Sequence, residues 1–199
     1  MPIIIYGLGN NESKYLKTKH NAGRLAIEKI ATDWNVNFVE TQGCFVAKKK
    51  VENKEQDKDQ EVWLVYSKGY MNASGEPISK LLKYFKINTQ TQDFQLIIAQ
   101  DDSDQILGKT KLSIGGGTAG HNGIISSYLH LTSCGLNQTD IWRLKIGIRP
   151  EGNRLKSETF VLSLVTNNEV NFYNSVAQKL LLALRQFPNI SKIQNIINT

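Results

Sequence analysis

The sequence predicts a single three-layer α/β domain in which a mixed, mostly parallel twisted sheet is flanked by helices. Three observations predict it. Short apolar runs alternate with segments whose apolar residues recur at helical spacing. Several runs, "PIIIYG" and "VWLVY" among them, are too apolar to leave one face in water, which suits strands covered on both sides. No internal repeat or composition break divides the 199 residues, a length that buries a sizeable core without a metal or crosslink.

"PIIIYGLGN" reads as a short buried strand ending in a glycine turn. From Asn21 to Trp34, the residues Ala22, Leu25, Ala26, Ile30 and Trp34 recur at helical spacing, so a helix follows His20. "VNFVE" and "GCFVAKK" are strands joined through a glycine turn, and the charged run at about 48–61 is a solvent-exposed excursion in a hairpin. "EVWLVYS" is a strand. "EPISKLLKYF" aligns Ile78, Leu81, Leu82 and Phe85 along a helix, with Pro77 in its first turn. "DFQLIIAQDD" is a strand whose end is marked by acids. "KTKLSI" and "WRLKIGI" are strands separated by a glycine loop and a short helix, and "EVNFYNSVAQKLLLALRQF" forms a C-terminal helical tail.

No run approaches the ~18 apolar residues of a membrane span, so no membrane partner is expected. The N-terminus lacks the basic and apolar regions of a secretory signal, which makes the cytoplasm the expected location and an organelle matrix the alternative. Cys44 and Cys134 are far apart and form no C-x-x-C, so they are expected as small hydrophobes, not zinc ligands or a disulfide. No metal, cofactor or obligatory protein partner is expected, and the chain is read as a monomer.

The formal net charge of +6 is unevenly placed. Lys14, Lys17, Lys19 and Arg24 surround His20 without an acid among them, and Lys145, Arg149, Arg154 and Lys156 follow the "WRLKIGIRP" strand. Lys109 and Lys111 lead into the glycine loop. Such patches suit a phosphate backbone, although each alone also suits an ordinary solvated face.

Ligands in open α/β sheets bind beyond the carboxyl ends of strands. Polar residues stand there in four segments: Asn10, Asn72, Asp101 and the pair His121-Asn122, with His20 opening the first helix. Taken singly, each asparagine is an ordinary cap or turn residue. Together they form a convergent site. Familiar motifs fail: "GLGNNE" has Glu12 where a dinucleotide fingerprint needs glycine, "DDSD" lacks the glycine of a calcium loop, and no G-x-S-x-G occurs. A histidine with a carboxylate to orient it remains, and that pairing fits general-base activation of water.

At these residues the chain resembles the bacterial-type peptidyl-tRNA hydrolase family. "IIYGLGN" with "YLKTKHNAG", "GYMNASG", "QDDSDQILGKTKLSIGGGTAGHNGIISS" and "WRLKIGIRP" match the family's blocks in order over nearly the whole chain. The resemblance implies hydrolysis of the ester between a peptide's C-terminus and the terminal ribose of tRNA, with peptidyl-tRNA as partner. It implies His20 as base and Asp101 as its orienting partner. Asn10 and Asn72 would hold the peptide and ester region, and Asn122 would serve the substrate and intermediate. Tyr15, Met71 and Gly117 would line the cleft, and His121 would lie near it. Three features depart from the family: Asn11-Glu12 in place of Pro-Gly, a missing glycine before "RP", and a longer charged excursion. Two other readings stay open: a non-catalytic RNA-binding relative, and a different small ester or peptide hydrolase on the same scaffold.

Overall fold

The computed structural model describes residues 1–52, 59–91, 93–153, 155–186 and 190–198. Its first strand, β1 (Ile3–Gly7), is buried along its whole length. The one polar side-chain group in "IIIYG", the Tyr6 hydroxyl, donates to Ser74 O at 2.6 Å, so neither face rests in water and the strand takes the centre of a sheet. Around it lie β2 (Val39–Thr41), β3 (Cys44–Val51), β4 (Gln60–Ser67), β5 (Gln95–Ile106), β6 (Thr110–Ile114) and β7 (Ile141–Arg149). The seven strands run in the order β2-β3-β4-β1-β5-β7-β6. The central four are parallel, while β2, β3 and β6 add antiparallel edges.

The helices are α1 (Ala22–Asp33), α2 (Gly75–Tyr84), α3 (Asn122–Thr132), α4 (Ser157–Phe160), α5 (Asn167–Leu184) and α6 (Ile190–Asn198). Strand alternation splits the core into two layers. Ile3 and Ile5 pack with Ala26, Ile27 and Ile30 of α1, Val176 and Leu180 of α5, and Ile193 and Ile197 of α6. Ile4 and Tyr6 pack with Ile78, Leu81 and Leu82 of α2 and with Ile124, Tyr128 and Leu131 of α3. The predicted helical faces at Ala22–Ile30 and Ile78–Leu82 are therefore the buried ones. No helix among the described residues is long and apolar enough to cross a membrane.

The expectations for two strands are corrected. The strand predicted to end at its acids continues to Ile106, because β7 pairs with it past Asp101 and Asp102 and again at Ile106 after an irregularity. The strand expected over "VNFVE" begins only at Val39, after a left-handed residue at Asn35. Of the charged excursion at about 48–61, residues 48–51 and 60–61 belong to β3 and β4, and residues 53–58 lie outside the described residues. The helix expected over "EVNFYNSVAQKLLLALRQF" is α5, started by a capping box of Thr166 and Glu169, and α6 follows it.

Candidate active site

α1 presses directly on the sheet because position 23 carries no side chain: a Cβ at Gly23 would lie 2.0 Å from the carbonyl oxygen of Ala99. That close approach brings the 3-10 turn Lys19–Asn21, just ahead of α1, beside the end of β1 and the middle of β5. The turn is anchored by main-chain bonds from His20 N to Val161 O (2.7 Å) and from Lys19 N to Ser163 O (3.0 Å). His20 Nδ1 then lies 2.9 Å from Asp101 Oδ1.

The same carboxylate oxygen lies 2.9 Å from His121 Nε2. His121 caps α3, its Nδ1 accepting the Gly123 N–H at 3.1 Å. An Nδ1 that accepts carries no proton, so the Nε2 of neutral His121 is protonated and donates to Asp101. Both nitrogens of His121 are thus engaged. His20 differs: its Nδ1–H donates to Asp101, and its Nε2 has no hydrogen-bond partner among the described residues. The rings sit 4.9 Å apart. Burial alone would raise the Asp101 pKa, but the charge and hydrogen bonds of His121 and His20 outweigh it and hold the carboxyl down at about 2.

Both histidines and Asp101 open onto a cleft of about 610 Å³. Asn10, Tyr15, Met71, Asn72 and Asn122 line it with them. The Asn10 carboxamide is oriented by its oxygen, which accepts the Met71 N–H at 2.8 Å, and its amide nitrogen has no partner among the described residues. Asn72, in the 3-10 turn Met71–Ala73, and Asn122, the first residue of α3, are exposed. Gly117 is expected in the lining but stands just outside it, its carbonyl held by Arg143.

One nitrogen from each of His20 and His121 and an oxygen of Asp101 lie within 4.8 Å of one another, as metal ligands would. Ligation through His121 Nε2 would move its proton to Nδ1 and break the cap on Gly123.

The basic residues separate into two groups. Lys17, Lys109, Lys111 and Lys156 are exposed, as is Lys14, although Glu12 pairs with it at 3.3 Å. Lys145 is partly exposed, 3.5 Å from Asp102. Three expected phosphate contacts are taken up by the protein's own groups instead. Lys19 is buried in an ion pair with Glu169. Arg24 is buried against Glu28, Asn11 and the Tyr66 ring. Arg149 is consumed by Ser103, Asn153, Leu155 and Ser157. Local sequence offers the Arg24–Glu28 pair, four residues apart, but not Glu169 beside Lys19 or Tyr66 beside Arg24, which lie far along the chain. Arg154 lies outside the described residues.

Sequence reasoning missed Asn21, which is fully buried and holds Asn10 in place: its oxygen accepts the Asn10 N–H at 2.8 Å and its nitrogen donates to Asn10 O at 2.9 Å. It also missed Arg143, which shares β7 with Lys145 and Arg149 but is buried where they are partly exposed.

The chain matches the peptidyl-tRNA hydrolase family over residues 4–199. It is 35% identical over 193 residues to the peptidyl-tRNA hydrolase of Bacillus cytotoxicus, covering 96% of this chain and 95% of that one. It is 31% identical to that of Aromatoleum aromaticum over 96% of this chain and 88% of the relative. The crystal structure of peptidyl-tRNA hydrolase from Acinetobacter baumannii superposes with a TM-score of 0.79 at 27% identity, over 98% of this chain and 94% of that one.

Proposed function

The chain belongs to the peptidyl-tRNA hydrolase family, and we propose that it performs that hydrolysis with His20 as the base. It cleaves the ester between a peptide's C-terminal carbonyl and the terminal ribose of tRNA. The observation that carries the assignment of roles is the one imidazole nitrogen in the cleft without a hydrogen-bond partner among the described residues, His20 Nε2, on a ring whose other nitrogen is fixed to Asp101.

Water attacks the ester carbonyl as His20 Nε2 takes its proton. The imidazolium so formed is stabilised by Asp101, which stays ionised because its pKa is near 2. Attack places negative charge on the carbonyl oxygen, and the amide nitrogens of Asn10 and Asn122 supply donors for it. One well-placed donor of this kind contributes ~3 kcal/mol to the transition state. Collapse expels the ribose oxygen, which takes the proton back from His20. Asn72, Met71 and Tyr15 hold the peptide and ester region. His121 acts through Asp101 and has no lone pair left for water.

Lys14, Lys17, Lys109, Lys111 and Lys145 meet the phosphates of the tRNA. The reaction belongs to translation, and we assign the protein to the cytoplasm as a monomer. Asp101→Asn tests the assignment, since a carboxamide neither fixes the His20 tautomer nor stabilises the imidazolium. It should lower kcat by roughly 10²–10⁴ with KM little changed. Turnover near the parent value would contradict it.

A further inference from the structure

Arg143 is the largest fully buried side chain, and among the described residues no carboxylate pairs with it. Its Nε and Nη2 donate to Gln100 Oε1 at 2.8 and 2.6 Å. Its Nη1 donates to the carbonyls of Gly117 (2.5 Å) and Gly116 (3.4 Å). One guanidinium therefore ties the residue preceding Asp101 to the loop that carries His121 and Asn122.

That loop has little else to define it. Gly115, Gly116, Ala119 and Gly120 all have positive φ, outside any strand or helix. Its main chain is bonded at Gly115 N to Ile141 O (2.9 Å) and, across the turn, at His121 N to Thr118 O (2.9 Å). Between these points, among the described residues, Gly116 and Gly117 are held only through their carbonyls, by Arg143 and by the Tyr128 hydroxyl at 3.3 Å. Glycines allow many backbone conformations, so the fork of Arg143 selects one of them.

We propose that Arg143 is a positioning residue that sets the placement of Asn122 relative to Asp101 and His20, by clamping the Gly116–Gly117 carbonyls to Gln100. The proposal rests on Asn122 serving the reacting carbonyl as described above. A lysine keeps the charge but is a point donor that cannot bridge Gln100 and Gly117 together.

The test is a double-mutant cycle on kcat with peptidyl-tRNA, using the parent, Arg143→Lys, Asn122→Ala and the double variant, each normalised to its folded fraction. Misplacement of a reacting group by about 1 Å costs on the order of 100-fold, so Arg143→Lys should lose about that much in kcat at nearly unchanged KM. In the Asn122→Ala background the same change should cost less than about 3-fold, because the group being positioned is already gone. Equal losses in both backgrounds, or full kcat in Arg143→Lys, overturn the proposal. Asn122→Ala with parental kcat would instead remove the role given to Asn122. Should Arg143→Lys not fold, Tyr128→Phe, which removes only the second donor to Gly116, takes its place in the cycle. A few-fold loss of kcat confined to the Asn122 background then supports the clamp, and none overturns it.

Discussion

Lys19 and Glu169 form an ion pair in which the two side chains are only 5% and 9% exposed, one residue from His20. Glu169 also accepts the Thr166 N–H at 2.8 Å, so one carboxylate caps α5 and anchors the turn carrying the base. Removing one partner of a buried pair leaves an uncompensated charge, and Lys19→Met should destabilise the fold by about 3–5 kcal/mol. Denaturant midpoints check this. An unchanged midpoint with weakened tRNA binding would return Lys19 to the phosphate surface.

The same pair gives a pH dependence of stability. Burial raises the Glu169 pKa, but hydrogen bonds from Lys19 and Thr166 outweigh it and hold the carboxyl below its ordinary value. Its contribution is therefore present above the unfolded glutamate pKa of about 4.3 and is lost as pH falls through the lower folded value. Asp101 behaves likewise, losing its contribution between the unfolded aspartate value of about 3.9 and about 2. The parent midpoint should fall below pH 4.3 more steeply than that of Glu169→Gln. Parallel curves would contradict the assignment.

His20→Ala should cut kcat far more than it raises KM, since it removes proton transfer and leaves the phosphate contacts intact. His121→Ala should retain measurable turnover and lose about 1 kcal/mol of stability with the α3 cap. Near-normal turnover in His20→Ala, with none in His121→Ala, would mean that the other ring is the base.

Affinity for tRNA should fall steeply with salt, with a logarithmic slope near ~0.9 per phosphate neutralised on a duplex stem. Replacing Lys17, Lys109 and Lys111 together with Gln should flatten that slope and spare hydrolysis of a minimal ester substrate. Equal damage to both activities, or a flat parental slope, would refute a phosphate surface outside the cleft.

Ala119 has a φ of +48° in the turn before His121, where an L side chain meets the following carbonyl. Ala119→Gly should raise stability by about 1 kcal/mol, read as a higher denaturant midpoint. A lower midpoint would show that the turn's strain is not a local steric cost.

The order of strands and helices was legible because the core obeys simple patterns, an unbroken apolar run in β1 and a period of 3.6 in α1 and α2. The convergence of Asn10, His20, Asp101 and Asn122 was legible because polar residues stood where apolar runs ended. What stayed hidden depends on pairing across the sheet. Asp101 lies within a strand because β7 continues past it. The two His-Asn pairs look alike in sequence, yet Asn122 opens on the cleft while Asn21 is buried beneath Asn10. Positive charge near a histidine suggested phosphate contacts at Lys19 and Arg24, and only the fold brings Glu169 to the first and Tyr66 to the second.

The central claim is that His20, oriented by Asp101, activates water to cleave peptidyl-tRNA without a divalent metal. Its most direct test is release of free tRNA from peptidyl-tRNA by the purified protein, with and without a chelator. The account predicts turnover well above buffer that chelation leaves unchanged. No turnover, or a complete loss on chelation that added metal restores, would contradict it.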